Sequence, residues 1–294
     1  MVSLSNHPPP LNPLPPGEGK VFCGIIFDIR KRVNILNRSA LKTKNKLPYF
    51  EIPELIKLEW VRHAFLTRQG GVSLPPHHSL NLSDKNGDRE EFISKNKNLV
   101  AAAFGFDPRR LILLDQMQQD QILLLKGPVI TLPSPLEYDA LITNSPNTCL
   151  GILTADCLPI FLVDQKRKVI AAVHAGRQGT ALHITARVIK KMEKEFGCSS
   201  KDLLIAIGPS IGSCCYEIDE RVFHPEWEPF SISRGAGKWM VDLAQINIAQ
   251  MKREEIKEEQ IFWINLCTHC YGDLFFSYRR EGETGRQLSF IGMI

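Results

Sequence analysis

The chain has 294 residues, of which 44% are hydrophobic, and this is enough to bury the core of one large domain or of two small ones. Its formal net charge is +4, but residues 1–48 contain eight basic and two acidic residues, which leaves 28 basic and 30 acidic residues in the remainder. The main body is nearly neutral and so lacks the excess of basic residues that is typical of nucleic-acid-binding domains. We therefore predict no nucleic-acid partner.

The sequence also argues against a membrane or secreted protein. No run of 18 apolar residues is present, and residues 1–20 hold six prolines instead of the apolar core of a signal peptide. Eight cysteines are too few for a disulfide scaffold in a chain of this length. We therefore predict reduced thiols, a cytoplasmic location and no membrane partner.

The first 48 residues differ from the rest in composition. Residues 8–16 are rich in proline, and basic runs occupy residues 30–32 and 42–46. Such segments bury little apolar surface, so we expect residues 1–48 to be a disordered N-terminal extension or an over-extended reading frame. The folded domain is predicted to span residues 49–294.

From residue 49 onward the apolar pattern is that of a globular domain. Predicted strands occupy residues 61–67, 111–114, 122–125, 149–154, 159–163, 169–173, 203–207 and 261–266, and apolar runs at 275–278 and 288–294 close the chain. Predicted helices occupy residues 88–104, 181–196 and 241–254. Because strands and helices alternate without a strict βαβ repeat, we predict a mixed-sheet α/β (α+β) fold.

Two polar residues come where apolar, strand-like runs end. Cys157 lies in the run TADCLP (154–159), and His174 begins the run HAGRQGT (174–180). A thiol and an imidazole brought together in this way can bind a metal, or can act as nucleophile and base. Two ligands do not complete a zinc site, and a lone cysteine is often only packed, so the residues alone leave these alternatives open.

The run that follows His174 is a candidate phosphate site. Gly176 and Gly179 allow a tight turn, and the helix expected behind Thr180 would present free backbone N–H groups to an anion. A plain turn from strand to helix with Thr180 as N-cap explains the same pattern.

Arginines near turns are further candidates. Arg68 stands beside a Gly-Gly turn, and Arg279, Arg280 and Arg286 surround a hairpin-like segment. Guanidinium groups suit carboxylate or phosphate, although a solvated hairpin is the alternative.

Four cysteines form two pairs along the chain. Cys267 and Cys270 have the spacing of half a zinc knuckle, but Cys214 and Cys215 are adjacent and therefore do not form a second such half. We expect these four thiols to be packed in a reduced core, with a structural four-cysteine zinc site as the weaker alternative.

The motifs occur together in one order along the chain: TRQGGVS (67–73), SLNL (79–82), DALIT (139–143), TADCLP (154–159), HAG (174–176), GPSIG (208–212) with CYE (215–217), CTHC (267–270), and FSYRR (276–280) with TGR (284–286). This combination resembles the laccase-domain family, also called the multicopper polyphenol oxidase-like or YfiH-type family, over about residues 49–294. The resemblance implies a single laccase-domain fold similar to the catalytic domain of cytotoxic necrotizing factor. It also implies phosphorolysis of purine nucleosides, with adenosine deaminase activity.

The resemblance further implies a His-Cys-His metal site. Cys157 and His174 match its second and third ligands, whereas Gln118, in QMQQ (116–119), stands where the family has its first histidine. Arg177 replaces the family's tryptophan. Glutamine is a poorer zinc ligand than imidazole, so the expected zinc, or copper, is held by an altered set in which His77 or His78 is a possible substitute.

We therefore predict an enzyme that uses phosphate to cleave adenosine, inosine, guanosine or methylthioadenosine into the base and ribose 1-phosphate. Cys157, His174 and Arg68 are the predicted catalytic residues, and the predicted metal ligands are Cys157, His174 and Gln118. Nucleoside and phosphate are expected to contact Arg68, Asn81, Gly176, Arg177, Gly179 and Thr180. The alternatives are a metal-free Cys–His hydrolase or deamidase and a catalytically degenerate purine-binding protein, with copper oxidase chemistry last. We expect a monomer or a homodimer.

Overall fold

A computed structural model describes residues 40–127, 132 and 135–293. The strands in chain order are β1 (Lys42–Lys44), β2 (Leu47–Phe50), β3 (Val61–Leu66), β4 (Leu111–Leu113), β5 (Ile122–Leu125), β6 (Ala140–Thr143), β7 (Cys149–Thr154), β8 (Leu158–Asp164), β9 (Val169–Ala175), β10 (Leu203–Ile207), β11 (Glu217–Asp219), β12 (Ser231–Gly235), β13 (Lys238–Val241), β14 (Ile261–Trp263) and β15 (Gln287–Met293). The helices are α1 (Pro53–Ile56), α2 (Glu90–Phe104), α3 (Arg177–Ala181), α4 (Ile184–Phe196), α5 (Leu243–Arg253) and α6 (Tyr278–Glu281).

Two six-stranded mixed sheets form the body of the domain. The first has the order β1-β2-β3-β15-β7-β4, and the second has the order β14-β10-β8-β9-β6-β5. Most pairs are antiparallel, but β4 with β7, β5 with β6 and β10 with β14 are parallel. This arrangement confirms the predicted mixed-sheet α/β fold.

The core lies in layers around the second sheet. Every residue of β8 and β9 is buried, which is typical of strands covered on both faces. One face packs on the first sheet, where the rings of Phe65 and Phe161 stack with centroids 4.8 Å apart. The other face packs under α4 and α5 through residues such as Val188 and Ile248.

Some elements differ from their predicted bounds. The described part of the expected extension supplies β1, which pairs with β2, so residues 42–44 belong to the first sheet; residues 1–39 lie outside the described part. A small sheet of β11, β13 and β12 was not predicted. No helix within the described residues is long and apolar enough to cross a bilayer.

The helix predicted at residues 181–196 begins three residues later than expected, and a separate short helix precedes it. The chain turns at His183, whose φ of 57° is left-handed, so α3 ends at Ala181 and α4 begins at Ile184. Gly176 caps the start of α3, and the Thr180 hydroxyl accepts a hydrogen bond of 2.9 Å from the Asn247 amide inside the domain. Thr180 is therefore not the N-cap expected from the sequence.

Several chain segments converge at one end of the second sheet. In the register of β8 and β9, Pro159 lies opposite His174, so the start of β8 adjoins the end of β9. β10 and β14 also end there, because Ile207 pairs with Ile160 on one side and Trp263 on the other. This end of the sheet carries the candidate site.

Candidate active site

Cys157 and His174 are brought together by strand register. Cys157 directly precedes β8, and His174 is the penultimate residue of β9. A Cβ built on Gly176 would lie 2.9 Å from the Cys157 sulfur, so this position favours glycine because the backbone approaches the thiol. The geometry therefore places a thiol, an imidazole and a close backbone in one corner of the domain.

Asp139 orients the imidazole of His174. Its carboxylate is fully buried and lies 2.8 Å from Nδ1 of His174. The same carboxylate accepts hydrogen bonds from the backbone N–H groups of Met117, Gln118 and Gln119. Asp139 thus fixes both the ring and the loop that faces it, which leaves Nε2 of the ring for chemistry.

The proton affinity of His174 follows from these neighbours. Burial alone would lower its pKa, but the charge of Cys157 and hydrogen bonds with Asp139 and Cys157 raise the pKa to about 9. His174 is only 5% exposed, so these interactions act with little screening by water. The surroundings of the ring therefore favour the protonated form of the imidazole.

A cavity of about 730 Å³ opens over this pair. This volume is within the range of small-molecule sites. Its wall contains Gln118, Cys157 and His174 together with three arginines and two tyrosines: Arg177, Arg279, Arg286, Tyr216 and Tyr278. The cavity therefore combines a reactive pair with groups that suit an anion and a planar ring.

The three arginines of the cavity are held to different degrees. Arg286 donates to the carbonyls of Thr284 and Gly285, and burial lowers its pKa. Arg279 stacks on the Tyr216 ring at 4.9 Å and donates to the Glu217 carbonyl. The Arg177 side chain makes no hydrogen bond or ion pair within the described residues, so it is the one most available to a ligand.

Asp156 links Cys157 to a distant part of the chain. Its φ of 101° is unusual for a residue other than glycine, and its carboxylate is held at both oxygens. Oδ1 accepts from the Thr268 hydroxyl at 2.7 Å, and Oδ2 accepts from the Arg279 N–H at 2.7 Å. The strained backbone that presents Cys157 is thus stabilised by residues more than a hundred positions later.

Several predicted site residues lie elsewhere. Arg68 is not among the cavity residues; its guanidinium pairs with Glu281 at 2.6 Å and lies 4.5 Å from the centroid of the Phe276 ring. Asn81 is fully buried and accepts a hydrogen bond from the Arg286 N–H. Both residues hold the segment that carries the cavity arginines and do not line the cavity themselves.

The glycine-rich turn is only partly at the cavity. Gly176 lies against Cys157 and Arg177 lines the wall, but Gly179 and Thr180 do not line it. A Cβ on Gly179 would lie 3.3 Å from Ile184 and 3.4 Å from the Gln119 carbonyl, so this glycine permits packing of α3.

Comparison with known proteins identifies the family. A family model described as multi-copper polyphenol oxidoreductase laccase matches residues 62–294. The chain belongs to this laccase-domain family. The family membership predicted from the sequence motifs is therefore confirmed.

Relatives and solved structures agree with this membership. A Bacteroides thetaiotaomicron protein named purine nucleoside phosphorylase is 34% identical over 267 residues, which cover 86% of this chain and 98% of the relative. Purine nucleoside phosphorylase YfiH of Escherichia coli is 32% identical over 83% of this chain and 98% of its own length. Bacillus licheniformis hypothetical protein YfiH superposes with a TM-score of 0.77 and 31% identity over 84% of this chain and 96% of its own.

In this laccase-domain protein the donors around Cys157 do not form a complete zinc set. Cys157 and His174 offer good ligand atoms, but the third group at the cavity wall is the amide of Gln118. Nε2 of His77 lies 2.7 Å from the Asn86 carbonyl, and neither His77 nor His78 lines the cavity. The residues present therefore do not fit a tightly bound zinc ion at this position.

Four further cysteines, in the segments that follow β10 and β14, do not lie in the core as expected. Cys214, Cys215, Cys267 and Cys270 place their sulfur atoms within 4.8 Å of one another, so this cluster could bind a metal ion. Cys270 is exposed, and the other three are partly exposed. The expectation that these thiols pack in the core is wrong, because the loops after β10 and β14 bring both pairs together near the surface.

Asp139 is the main functional candidate that sequence reasoning did not single out. It begins the DALIT motif directly before β6, so its position before a buried strand was visible. Its partner was not, because 35 positions separate Asp139 from His174 and only the antiparallel pairing of β6 with β9 joins them.

Proposed function

We propose that this protein is a purine nucleoside phosphorylase that acts at the cavity containing Cys157 and His174. The observation that carries the proposal is the coexistence, in the wall of one cavity of about 730 Å³, of three arginines and the Cys157–His174 pair, whose imidazole is held from behind by the buried Asp139. The relatives named purine nucleoside phosphorylase support the same reaction class. The expected substrates are adenosine, inosine, guanosine and methylthioadenosine, and the expected location is the cytoplasm.

Phosphate is expected to bind to the arginines of the wall. Arg177 makes no hydrogen bond or ion pair among the described residues, whereas Arg279 and Arg286 are held by backbone carbonyls in the same wall. Guanidinium groups bind phosphate through paired N–H donors, and a preorganised group loses less entropy on binding. Tyr216 and Tyr278 offer flat surfaces on which a purine can stack.

The chemical step requires a proton donor for the departing base. A phosphate oxygen attacks the anomeric carbon of the ribose, and the bond from that carbon to the purine nitrogen breaks with its electron pair going to the base. In our proposal the base takes up the proton of the His174 imidazolium, whose orientation is fixed by Asp139. The Cys157 sulfur helps to keep this imidazole protonated before the step.

No step of this mechanism passes through a metal. Cys157 and His174 would be the ligands of any ion at the cavity, but the amide of Gln118 is a weak third donor. Deamination of adenosine requires an activated water, which a tightly held zinc ion would supply. We therefore expect deamination to be slow relative to phosphorolysis.

The test is product analysis with and without phosphate. Purified protein is incubated with each of the four nucleosides, and base, ribose 1-phosphate, free ribose and ammonia are measured. We expect base and ribose 1-phosphate in equal amounts, formed only when phosphate is present and strongly reduced in Cys157→Ser and His174→Asn. Turnover of none of the four nucleosides, despite binding of the purine, would favour the degenerate binding protein.

A second candidate function is metal-free thiol chemistry. Cys157, His174 and Asp139 have the arrangement of nucleophile, base and orienting carboxylate found in cysteine hydrolases. In that case the Cys157 sulfur would bond to a carbonyl or amidine carbon, the bond from that carbon to the leaving group would break as His174 protonates that group, and water would then release the product and the free thiol. Iodoacetamide would then label Cys157 rapidly at neutral pH, and a stable covalent adduct with an acyl substrate would be found by mass spectrometry.

A further inference from the structure

A second sulfur cluster lies outside the Cys157–His174 pair. Cys214 and Cys215 are in the loop after β10, and Cys267 and Cys270 are in the loop after β14. We propose that these four residues bind one zinc ion that ties the two loops together. We call this group the four-cysteine cluster.

The distances suit a tetrahedral metal site. Zinc binds thiolate sulfur at about 2.3 Å, so the edges of a regular tetrahedron of four sulfurs are about 3.8 Å long. The sulfur of Cys270 lies 3.6 Å from that of Cys214 and 3.4 Å from that of Cys215, and all four lie within 4.8 Å of one another. These separations exceed the bond of about 2.05 Å in a disulfide.

The two loops are already held in position by their backbones. Ser210 and Cys267 form a parallel bridge, and the N–H of Thr268 donates to the Ser210 carbonyl at 3.0 Å. The Gly212 N–H points at the Cys267 sulfur at 3.2 Å. Backbone N–H groups that donate to sulfur stabilise the thiolate form and orient the ligand, as outer-shell groups do in metal sites.

The cluster braces the wall of the active-site cavity. Thr268, inside the CTHC motif, donates to Asp156, and Asp156 also holds the N–H of Arg279. Tyr216 directly follows Cys215 and lines the cavity. An ion that joins the two loops would therefore fix Tyr216 and Arg279 relative to Cys157 without contacting the substrate.

The ligand type is tested on the unaltered full chain by X-ray absorption at the zinc edge. The protein is expressed with added zinc and purified with a reductant. We expect one zinc per chain, surrounded by four sulfurs at about 2.3 Å. Absence of zinc, its replacement by iron or copper, or a first shell rich in nitrogen or oxygen would overturn the proposal.

Variants separate this cluster from the cavity. Cys270→Ser is expected to lower the zinc content at least fivefold, whereas Cys157→Ser and the core variant Cys198→Ala keep one zinc per chain. Gln118→His is expected to raise the content toward two, because it adds an imidazole beside Cys157 and His174. Zinc lost from Cys157→Ser but retained in Cys270→Ser would contradict the assignment, and it would do so whether or not the protein cleaves nucleosides.

The oxidation state supplies an independent readout that does not depend on folding of a variant. Intact mass measured under denaturing conditions, without reductant, is expected to match four free thiols in the cluster. A mass lower by two or four hydrogens, assigned by peptide mapping to Cys214, Cys215, Cys267 and Cys270, would identify disulfides and overturn the zinc proposal.

Discussion

The protein places cysteine sulfur in two settings that differ in what surrounds it. Cys157 lies beside one imidazole, whose other nitrogen is held by the buried carboxylate of Asp139, and faces a cavity. In the four-cysteine cluster each sulfur has three other sulfur atoms within 4.8 Å. Cysteine sulfur is thus available for proton transfer beside His174 and for metal binding in the four-cysteine cluster.

The comparison shows that neighbours, not the cysteine itself, select the role. A thiol next to a hydrogen-bonded imidazole shares a proton with it, which suits catalysis. Four thiols near one point repel one another as thiolates until a cation joins them. The two settings meet at Asp156, which precedes Cys157 and accepts a hydrogen bond from Thr268 of the CTHC motif.

The largest expected effect on catalysis comes from replacing the imidazole of the Cys157–His174 pair. His174→Asn removes the proton donor, so kcat/KM for phosphorolysis should fall by about a hundredfold to a thousandfold. Steady-state kinetics with inosine and phosphate measure this loss, and Cys198→Ala serves as the control for a buried change outside the cavity. A loss smaller than tenfold in His174→Asn would remove His174 from the chemical step.

Asp139→Asn tests whether the carboxylate sets the state of the imidazole. A hydrogen bond with Asp139 contributes to raising the pKa of His174 to about 9, so activity of the wild type should persist to that pH and then decline. Removal of the charge should lower kcat by about 10- to 100-fold and move the alkaline decline to lower pH. A pH–rate profile measures both, and an unchanged alkaline limb would contradict the assigned role.

The raised pKa of His174 also predicts a change in stability with pH. The folded pKa of about 9 exceeds the ordinary value of 6.5, so the folded state binds more protons between these values. This contribution is fully present below pH 6.5 and is lost as the pH rises through about 9. Urea unfolding at pH 6 and pH 9.5 should show the loss in wild type and a smaller loss in Asp139→Asn.

Much of the fold was visible in the sequence because its central strands are continuous apolar runs. The strands from Cys149 to Thr154 and from Leu203 to Ile207 match their predicted bounds, and both are largely buried. The short helix α3 was missed, because its sequence RQGTA carries no apolar repeat. β11 to β13 were missed because they are short and only partly buried.

The candidate site was only partly predictable for a different reason. Cys157 and His174 were recognisable in the sequence because they are polar residues at the ends of apolar runs, and the structure brings them together. Arg68 shows the same local pattern but is neutralised by Glu281, 213 positions away. The four-cysteine cluster was dismissed because its spacing is irregular along the chain, although the parallel pairing of β10 with β14 aligns the loops that carry it.

Arg177→Ala should have a moderate effect confined to phosphate. Arg177 makes no ion pair in the described part of the chain, so its removal should leave stability unchanged and raise the KM for phosphate by about tenfold. Arg221→Ala is the matched control, since Arg221 is exposed and pairs with Asp219. Equal KM values for phosphate in the two variants would show that Arg177 does not bind the anion.

The smallest effect on turnover is expected from a change in the four-cysteine cluster. Cys270→Ser should change kcat less than threefold at 20 °C but lower the melting temperature by at least about 5 °C, because the two loops lose their tie. Treatment of the wild type with a strong chelator should lower the melting temperature by a similar amount. A melting temperature unaffected by both treatments would separate the cluster from stability.

The most direct test of the central claim is the fate of oxygen at the sugar. The protein cleaves inosine in water enriched in heavy oxygen with ordinary phosphate present, and the sugar product is examined by mass spectrometry. Our account predicts ribose 1-phosphate without the heavy isotope, formed much more slowly by His174→Asn. Free ribose as the main product would mean that water attacks instead, and would contradict phosphorolysis at this cavity.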